Sequence, residues 1–463
     1  MKNYYTLKLA VLFLLVASCN KELKNTNVEQ DGSSNFSSQA STKTNIILII
    51  GDDVGREIPT YNGGQSYSTP NLDFMAANGK QFPYFFCHPD GPPSRLALVT
   101  GKYNYRNWVK FGVLPMTSPT FANMLKGSGY STCFIGKWQF DGGDKSIKSH
   151  GFDKYLTYMP FRPEKNNGHD QFYRRYKDPY LYENGDWLTD AQVKDKYSED
   201  MFFDYASNFI DSNKTKPFLL VYSHNLIMKP WSPSPDHPAY AAWDPAVDDD
   251  EQNGLDSIYF PSMVAYMDKI IGKIINKVQT SGIAQKTLII FTSDNATYVT
   301  IRSYYKGRKI RGSKDSTVFD GINVPMIAYM PGTVAPGTVD TSLVDMTDFF
   351  PTFAKLAGVT SAGLAPYKPL DGTSFYDNLT GNISPLTQRS TVYCYWPREY
   401  QQKVDLSYVT NYNYKLYDSL NGSRFYNIRK DFYEKNPIPD NKLTPAEKSA
   451  KDRFNKILQQ GFK

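Results

Sequence analysis

91-GPPSRLALVTGKYNYR-106 joins a loop carrying Pro-Ser-Arg to a short helical segment. Pro93 has a φ already fixed near the helical value and can open a helix, and Ser94 is placed to help cap it. The free N–H groups of a helix start attract an anion. Arg95 adds a permanent cation with a planar fork. On these residues alone an ordinary proline-initiated helix is the simpler account, so the sequence on either side has to decide.

Upstream, folded sequence begins at 44-TNIILIIGDDVG-55, where five consecutive apolar residues sit between polar ones. That pattern fits a parallel strand buried on both faces. It ends in Asp52-Asp53. Downstream, 287-TLIIFTSDNAT-297 repeats the design and ends in Asp294-Asn295. The stretches 130-YSTCFIG-136 and 217-PFLLVYS-223 are further strand candidates. Helical patterns alternate with them at 70–80, 119–129, 199–212 and 257–282. Such alternation predicts a doubly wound α/β domain, in which ligands bind beyond the C-terminal ends of the strands. Both acidic pairs lie at such ends. From about residue 365 the chain turns loop-rich. Strand-like 391-TVYCYW-396 and 407-SYVTNYNYKLYD-418 then precede a charged helix, 444-TPAEKSAKDRFNKILQQG-461. Thr444 is its expected N-cap and Pro445 its first helical residue. This tail reads as a small C-terminal subdomain, and there are no internal repeats.

A chain of 463 residues with 40% hydrophobic content can bury a large core. Fifty-two Lys and Arg against 46 Asp and Glu give a net charge of +6, and no basic block is long enough to suggest nucleic acid. The start, 1-MKNYYTLKLAVLFLLVASCN-20, has a lysine, an apolar run and then Ala17-Ser18-Cys19. The run is too short to span a bilayer and reads as an export signal over 1–19. The small residues before Cys19 resemble a bacterial lipobox, which implies a lipid anchor and a membrane-anchored lipoprotein of a bacterial envelope. Residues 20–43 are polar and read as a flexible tether. Without Cys19, three cysteines remain (Cys87, Cys133 and Cys394), so a disulfide framework does not hold this fold.

Asp52, Asp53, Asp294 and Asn295 offer only oxygen, which suits a hard divalent cation, Ca²⁺ or Mg²⁺. Either pair alone also reads as a loop opener. Two pairs, each after a long apolar strand, favour the ion.

With these segments in view, the chain resembles the sulfatase family of the alkaline-phosphatase-like superfamily. The family signature Cys/Ser-x-Pro-Ser-Arg-x-x-Leu-x-Thr-Gly is met here by Gly91 through Gly101. The segments 46–55, 68–82, 134–140, 291–297, 324–332 and 370–375 agree as well, and 414–438 resembles the family's C-terminal subdomain. The resemblance implies a large, mostly parallel sheet flanked by helices over 44–385 and a small α+β subdomain over 386–463. It implies that Asp52, Asp53, Asp294 and Asn295 are the metal ligands, usually for calcium. It implies that Arg95, Lys137 and Lys314 contact a sulfate, so that with the metal they form a strongly electropositive pocket.

The reacting half of the site departs from the family. The family's Cys or Ser becomes formylglycine, and Gly91 has no side chain to convert, so no formylglycine is expected. Gln139 stands at a family histidine position, Met228 at a second and Tyr298 at a third. Imidazole moves protons near neutral pH in a way that an amide, a thioether and a phenol do not. Losing general acid–base help alone removes roughly two to four orders of magnitude in rate. Cys87 lies outside the signature and is a poor substitute. His88 and His224 are the histidines nearest the altered segments. Trp138, Trp231, Tyr298, Tyr304 and the basic run 305-YKGRKIRGSK-314 either frame a pocket for a charged sugar or serve as core and solvated loop. The leading expectation is a catalytically degenerate sulfatase-family lipoprotein, a pseudoenzyme that handles a sulfated glycan or another anionic small ligand. Two alternatives stay open: an active sulfuric-ester or phosphoester hydrolase using metal-activated water or an unrecognised nucleophile, and a non-catalytic scaffold partner of an active sulfatase.

Overall fold

Five parallel strands form the centre of a ten-stranded sheet. In spatial order the sheet runs Thr338–Val339, Lys80–Gln81, Met326–Tyr329, Thr287–Ser293, Asn45–Gly51, Phe218–Ser223, Ser131–Lys137, Lys154–Tyr158, Tyr182–Glu183 and Asp186–Trp187. The parallel block runs from Thr287–Ser293 to Lys154–Tyr158. Met326–Tyr329 flanks it antiparallel on one side and Tyr182–Glu183 on the other. The structure, a computed structural model, describes residues 43–161, 174–245, 257–382 and 388–460. The proposed export signal, Cys19 and nearly all of the tether lie outside the described residues.

Strand Asn45–Gly51 is buried along its whole length, as its Ile-rich composition requires. Successive side chains point to opposite faces. Ile46, Leu48 and Ile50 join one apolar cluster, and Ile47 and Ile49 the other. Helices Gly91–Thr100, Phe121–Gly127 and Phe349–Leu356 supply the first cluster. Pro70–Asn78, Ser198–Asn213 and Phe260–Thr280 supply the second. In Phe260–Thr280 the buried positions Met263, Met267, Ile270, Ile274 and Val278 recur every three or four residues, which turns one helical face to the sheet. Each such side chain contributes about 1.5–3 kcal/mol through burial. Among the described residues no helix is long and apolar enough to cross a membrane.

Strands Val392–Trp396, Leu406–Thr410, Tyr414–Tyr417 and Phe425–Asn427 form a separate antiparallel sheet, covered by helix Pro445–Gln460. The expected single strand over 407–418 is therefore a hairpin. Asn411 turns the chain, its Oδ1 accepting from the N–H groups of Asn413 and Tyr414 at 2.9 Å each. The helix of the opening stretch also needs a correction. It starts at Gly91, and its cap is Asp90, whose Oδ1 accepts from Gly91 N at 2.7 Å. Pro92 and Pro93 fall in the first turn, where no N–H is required. Ser94 lies inside the helix, its Oγ accepting from His88 N at 2.9 Å. Cys87, Cys133 and Cys394 are buried free thiols.

Candidate functional site

Strands Asn45–Gly51 and Thr287–Ser293 pair in parallel with Gly51 opposite Ser293. Their following residues, Asp52-Asp53 and Asp294-Asn295, therefore emerge side by side. Asp294 N donates to Gly51 O at 3.2 Å, and Asp52 N donates to Leu226 O at 2.9 Å, which ties the turn to the segment after the next strand. Strand Ser131–Lys137 delivers Lys137 at the same edge. The first turns of helix Gly91–Thr100 bring Gly91 and Arg95. Lys314 follows the hairpin Arg302–Tyr305/Arg308–Arg311, and its N–H is fixed on Thr297 O at 3.0 Å. Ligand oxygens of Asp52, Asp53 and Asp294 all lie within 4.8 Å of one another.

Each carboxylate has its own cation. Lys137 Nζ donates to Asp52 Oδ2 at 2.6 Å and Lys314 Nζ to Asp53 Oδ1 at 2.5 Å. Arg95 clasps Asp294 Oδ2 through Nε at 2.9 Å and Nη2 at 2.8 Å. Arg95 Nη1 also reaches Ser223 Oγ at 2.6 Å and Lys137 O at 3.0 Å. Burial pushes the Asp52 carboxyl up to about 6, with Lys137 opposing and Asp294 and Asp53 adding to the rise. Burial would raise Asp53 too, but the ammonium groups of Lys314 and Lys137 outweigh it and hold Asp53 below its ordinary value. Burial lowers Lys137. The electropositive pocket is expected of these basic residues together with the ion. Three carboxylates face three cations, and only a divalent ion would give the cluster a positive excess.

The donor set fits such an ion. Asp52 Oδ1, Asp53 Oδ2 and Asn295 Oδ1 are buried and have no hydrogen-bond partner. Unsatisfied buried oxygens of this kind are costly, and oxygen-only donors suit Ca²⁺ or Mg²⁺. Asn295 Nδ2 is turned away, donating to Asp53 Oδ1 at 2.7 Å and Ala296 O at 2.9 Å, which leaves the amide oxygen free.

Gly91 stands at the centre of this group. A Cβ on it would meet Asp294 Oδ2 at 2.7 Å, Gln139 Oε1 at 3.1 Å and Asn295 Oδ1 at 3.3 Å. Met228 is also at the site, its Sδ accepting from Lys137 Nζ at 2.9 Å. The Tyr298 ring lies 4.8 Å from Lys229 Nζ and edge-on to Trp231. Trp138 and Trp231 are core residues: the first packs on Phe134, Phe140 and Phe152, the second on Phe260. Tyr304 and the basic hairpin residues Lys306, Arg308, Lys309 and Arg311 are exposed. Cys87 is buried, and its burial pushes the thiol well up, away from a reactive thiolate. His88 is buried, and burial lowers it to about 3. His224 is fully buried, its Nδ1 2.8 Å from Glu199 Oε2. Sequence reasoning missed Asp90 and Ser223. Ser223 ends an apolar strand, as Ser293 does, and that placement is the signal it offered.

Residues 44–359 match the family model described as sulfatase, and residues 316–460 match the model described as N-sulphoglucosamine sulphohydrolase, C-terminal. The chain is 27% identical over 374 residues to an arylsulfatase of Hemicentrotus pulcherrimus, covering 74% of this chain and 63% of that protein. It is 28% identical over 345 residues to an N-acetylgalactosamine-6-sulfatase of Mus musculus, covering 68% and 62%. It is 26% identical over 416 residues to an N-acetylgalactosamine-6-O-sulfatase of Bacteroides thetaiotaomicron, covering 74% and 76%. The chain thus spans just under two thirds of the length of the first two relatives. Among solved structures, a protein in complex with its substrate D-glucosamine-2-N,6-O-disulfate superposes with a TM-score of 0.71 at 21% identity, over 90% of this chain and 97% of that one. A protein in complex with k-i-k-neocarrahexaose superposes with a TM-score of 0.69 at 24% identity, over 90% and 92%.

Proposed function

The chain belongs to the sulfatase family, and from that premise we propose that it binds a sulfated carbohydrate at a divalent-ion centre without hydrolysing it by the family's route. The observation that carries this reading is Gly91. It occupies the signature position with no side chain, in a space bounded by Asp294 Oδ2, Gln139 Oε1 and Asn295 Oδ1. Around it the binding half of the site is complete: Asp52, Asp53, Asp294 and Asn295 would hold the ion, and Arg95, Lys137 and Lys314 border it. A bound Ca²⁺ or Mg²⁺ would supply the positive charge that attracts a sulfate oxygen. With the carboxylates engaged by the ion, Lys137 and Lys314 are the groups free to turn their ammonium protons to that sulfate.

The proton-moving positions support the same reading. Gln139 and Met228 face the site, and neither exchanges a proton near neutral pH. Cys87 and His88 are buried, with their titration driven away from the reactive range. Carbohydrate is the ligand class because two of the relatives above are named as N-acetylgalactosamine sulfatases and both solved structures above hold saccharides. We further place residues 1–19 as an export signal ending at a lipidated Cys19, 20–43 as its tether, 44–385 as the ion-binding domain and 386–463 as the C-terminal subdomain. The setting is the bacterial envelope.

The test is a pair of measurements on the purified chain with Ca²⁺. Sulfate release from aryl sulfate and from sulfated saccharides is expected to stay at the uncatalysed background. Binding to a panel of sulfated glycans is expected to exceed binding to their desulfated forms. Steady sulfate release removes the proposal, and equal binding to both panels leaves the scaffold role in its place.

A further inference from the structure

The geometry points to Gln139 as an additional oxygen ligand of the ion, filling with its side-chain amide the space a side chain at position 91 would take. The inference rests on the divalent-ion reading above and goes beyond it, because the sequence presents Gln139 only as a lost histidine. Two observations carry it. The point where a Gly91 Cβ would stand is 2.7 Å from Asp294 Oδ2, 3.1 Å from Gln139 Oε1 and 3.3 Å from Asn295 Oδ1. Gln139 Oε1 and Asn295 Oδ1 are both buried and accept no hydrogen bond, as do Asp52 Oδ1 and Asp53 Oδ2. A neutral amide oxygen left dry beside other dry oxygens is unfavourable unless a cation gathers them. Amide carbonyls are ordinary Ca²⁺ donors.

The backbone supports the same assignment. Gln139 has φ 64°, and the ligand residue Asp53 also has φ 64°. Side-chain-bearing residues rarely adopt the left-handed region, and such outliers gather where geometry serves a site. Gln139 N is anchored on Met159 O at 3.2 Å, so the backbone that aims its side chain is fixed. The absent Cβ and the inward amide are therefore one arrangement. A side chain at 91 would press on Asp294 Oδ2, which Arg95 holds by a hydrogen bond from Nε and an ion-pair contact from Nη2, and would crowd Gln139 Oε1.

Calorimetric titration of the purified full chain with Ca²⁺ tests this, repeated for Gln139→Ala, Gln139→Glu and Asp53→Asn. Gln139→Ala is expected to weaken Ca²⁺ binding by about tenfold or more. Gln139→Glu, which keeps an oxygen there, is expected to bind at least as tightly as the natural chain, and Asp53→Asn to lose most binding. If the natural chain binds Ca²⁺ and Gln139→Ala binds it equally, this inference alone fails. If the natural chain binds neither Ca²⁺ nor Mg²⁺, the inference fails together with the reading beneath it. Circular dichroism reports whether Gln139→Ala is folded. Should it not be, a crystal of the natural chain grown with Ca²⁺ decides: Gln139 Oε1 within about 2.6 Å of the ion upholds the assignment, and a hydrogen-bonded Gln139 pointing elsewhere overturns it.

Discussion

Glu57 is buried beside Thr297, and its Oε1 has no hydrogen-bond partner. Burial pushes its carboxyl from 4.5 to about 7, with the Thr297 hydroxyl opposing and Asp320 adding. A raised folded-state pKa means that the folded chain holds the proton more tightly than the unfolded one. That contribution is complete below about 4.5 and is lost as pH rises through about 7. Glu57→Gln keeps the shape and removes the titration. The stability of the natural chain relative to this variant should therefore fall between pH 4.5 and pH 7, by up to about 3 kcal/mol. Urea denaturation of both chains at pH 5 and pH 8 measures it, and a pH-independent offset contradicts it. Gly91 illustrates the opposite economy of space. Its φ is not in the left-handed region, so what a Cβ would meet here is Asp294 Oδ2 at 2.7 Å and not a backbone constraint.

At the scale of one element, helix Pro445–Gln460 shows how local signals and packing combine. Thr444 Oγ1 accepts from Glu447 N at 3.3 Å while Glu447 Oε2 accepts from Thr444 N at 2.9 Å, a reciprocal cap worth about 1 kcal/mol. Ala450, Phe454 and Leu458 then recur every four residues and pack on Tyr393, Val409, Leu416 and Phe425 of the antiparallel sheet. Phe454 is fully buried. Phe454→Ala should cost about 3–5 kcal/mol, read as a lower urea midpoint with an unchanged slope. A loss below 1 kcal/mol would mean that the helix is not packed as described.

Across the whole molecule, the C-terminal segment is tied in by charge as well as by apolar contact. Arg389 Nη1 lies 3.0 Å from Asp345 Oδ2 and donates to Tyr103 Oη at 2.6 Å; its Nη2 bonds Asp348 Oδ1. Arg389, Asp345 and Asp348 are withdrawn from solvent and Tyr103 is partly so, and burial raises Asp345 to about 7 despite the arginine. Removing one partner from a buried network strands the others, at about 3–5 kcal/mol. Arg389→Met should lower stability by that amount. Scanning calorimetry should still record one transition, because residues 42–463 form a single compact unit. Two separated transitions in the natural chain would contradict that cooperativity.

The strand ends were legible from residue 44 onward. Apolar runs specify buried strands, and Asp52-Asp53 and Asp294-Asn295 follow them in sequence, so a parallel pairing necessarily sets the acids together. The loss of a side chain at position 91 was equally plain, since a signature is a local pattern. Charge pairing was not legible. Lys137 meets Asp52 across 85 residues and Lys314 meets Asp53 across 261, and distances of that kind are set by the sheet and not by neighbours in the chain. The same holds for the tryptophans, which composition left between pocket and core. It holds most for Gln139, whose inward oxygen goes with a left-handed backbone and with the absence of a Cβ at Gly91. Local pattern determined the elements and the residue types at their ends. Only long-range packing decided which cation answers which carboxylate and what fills the space that glycine leaves, because those are questions of distance in a low-dielectric interior.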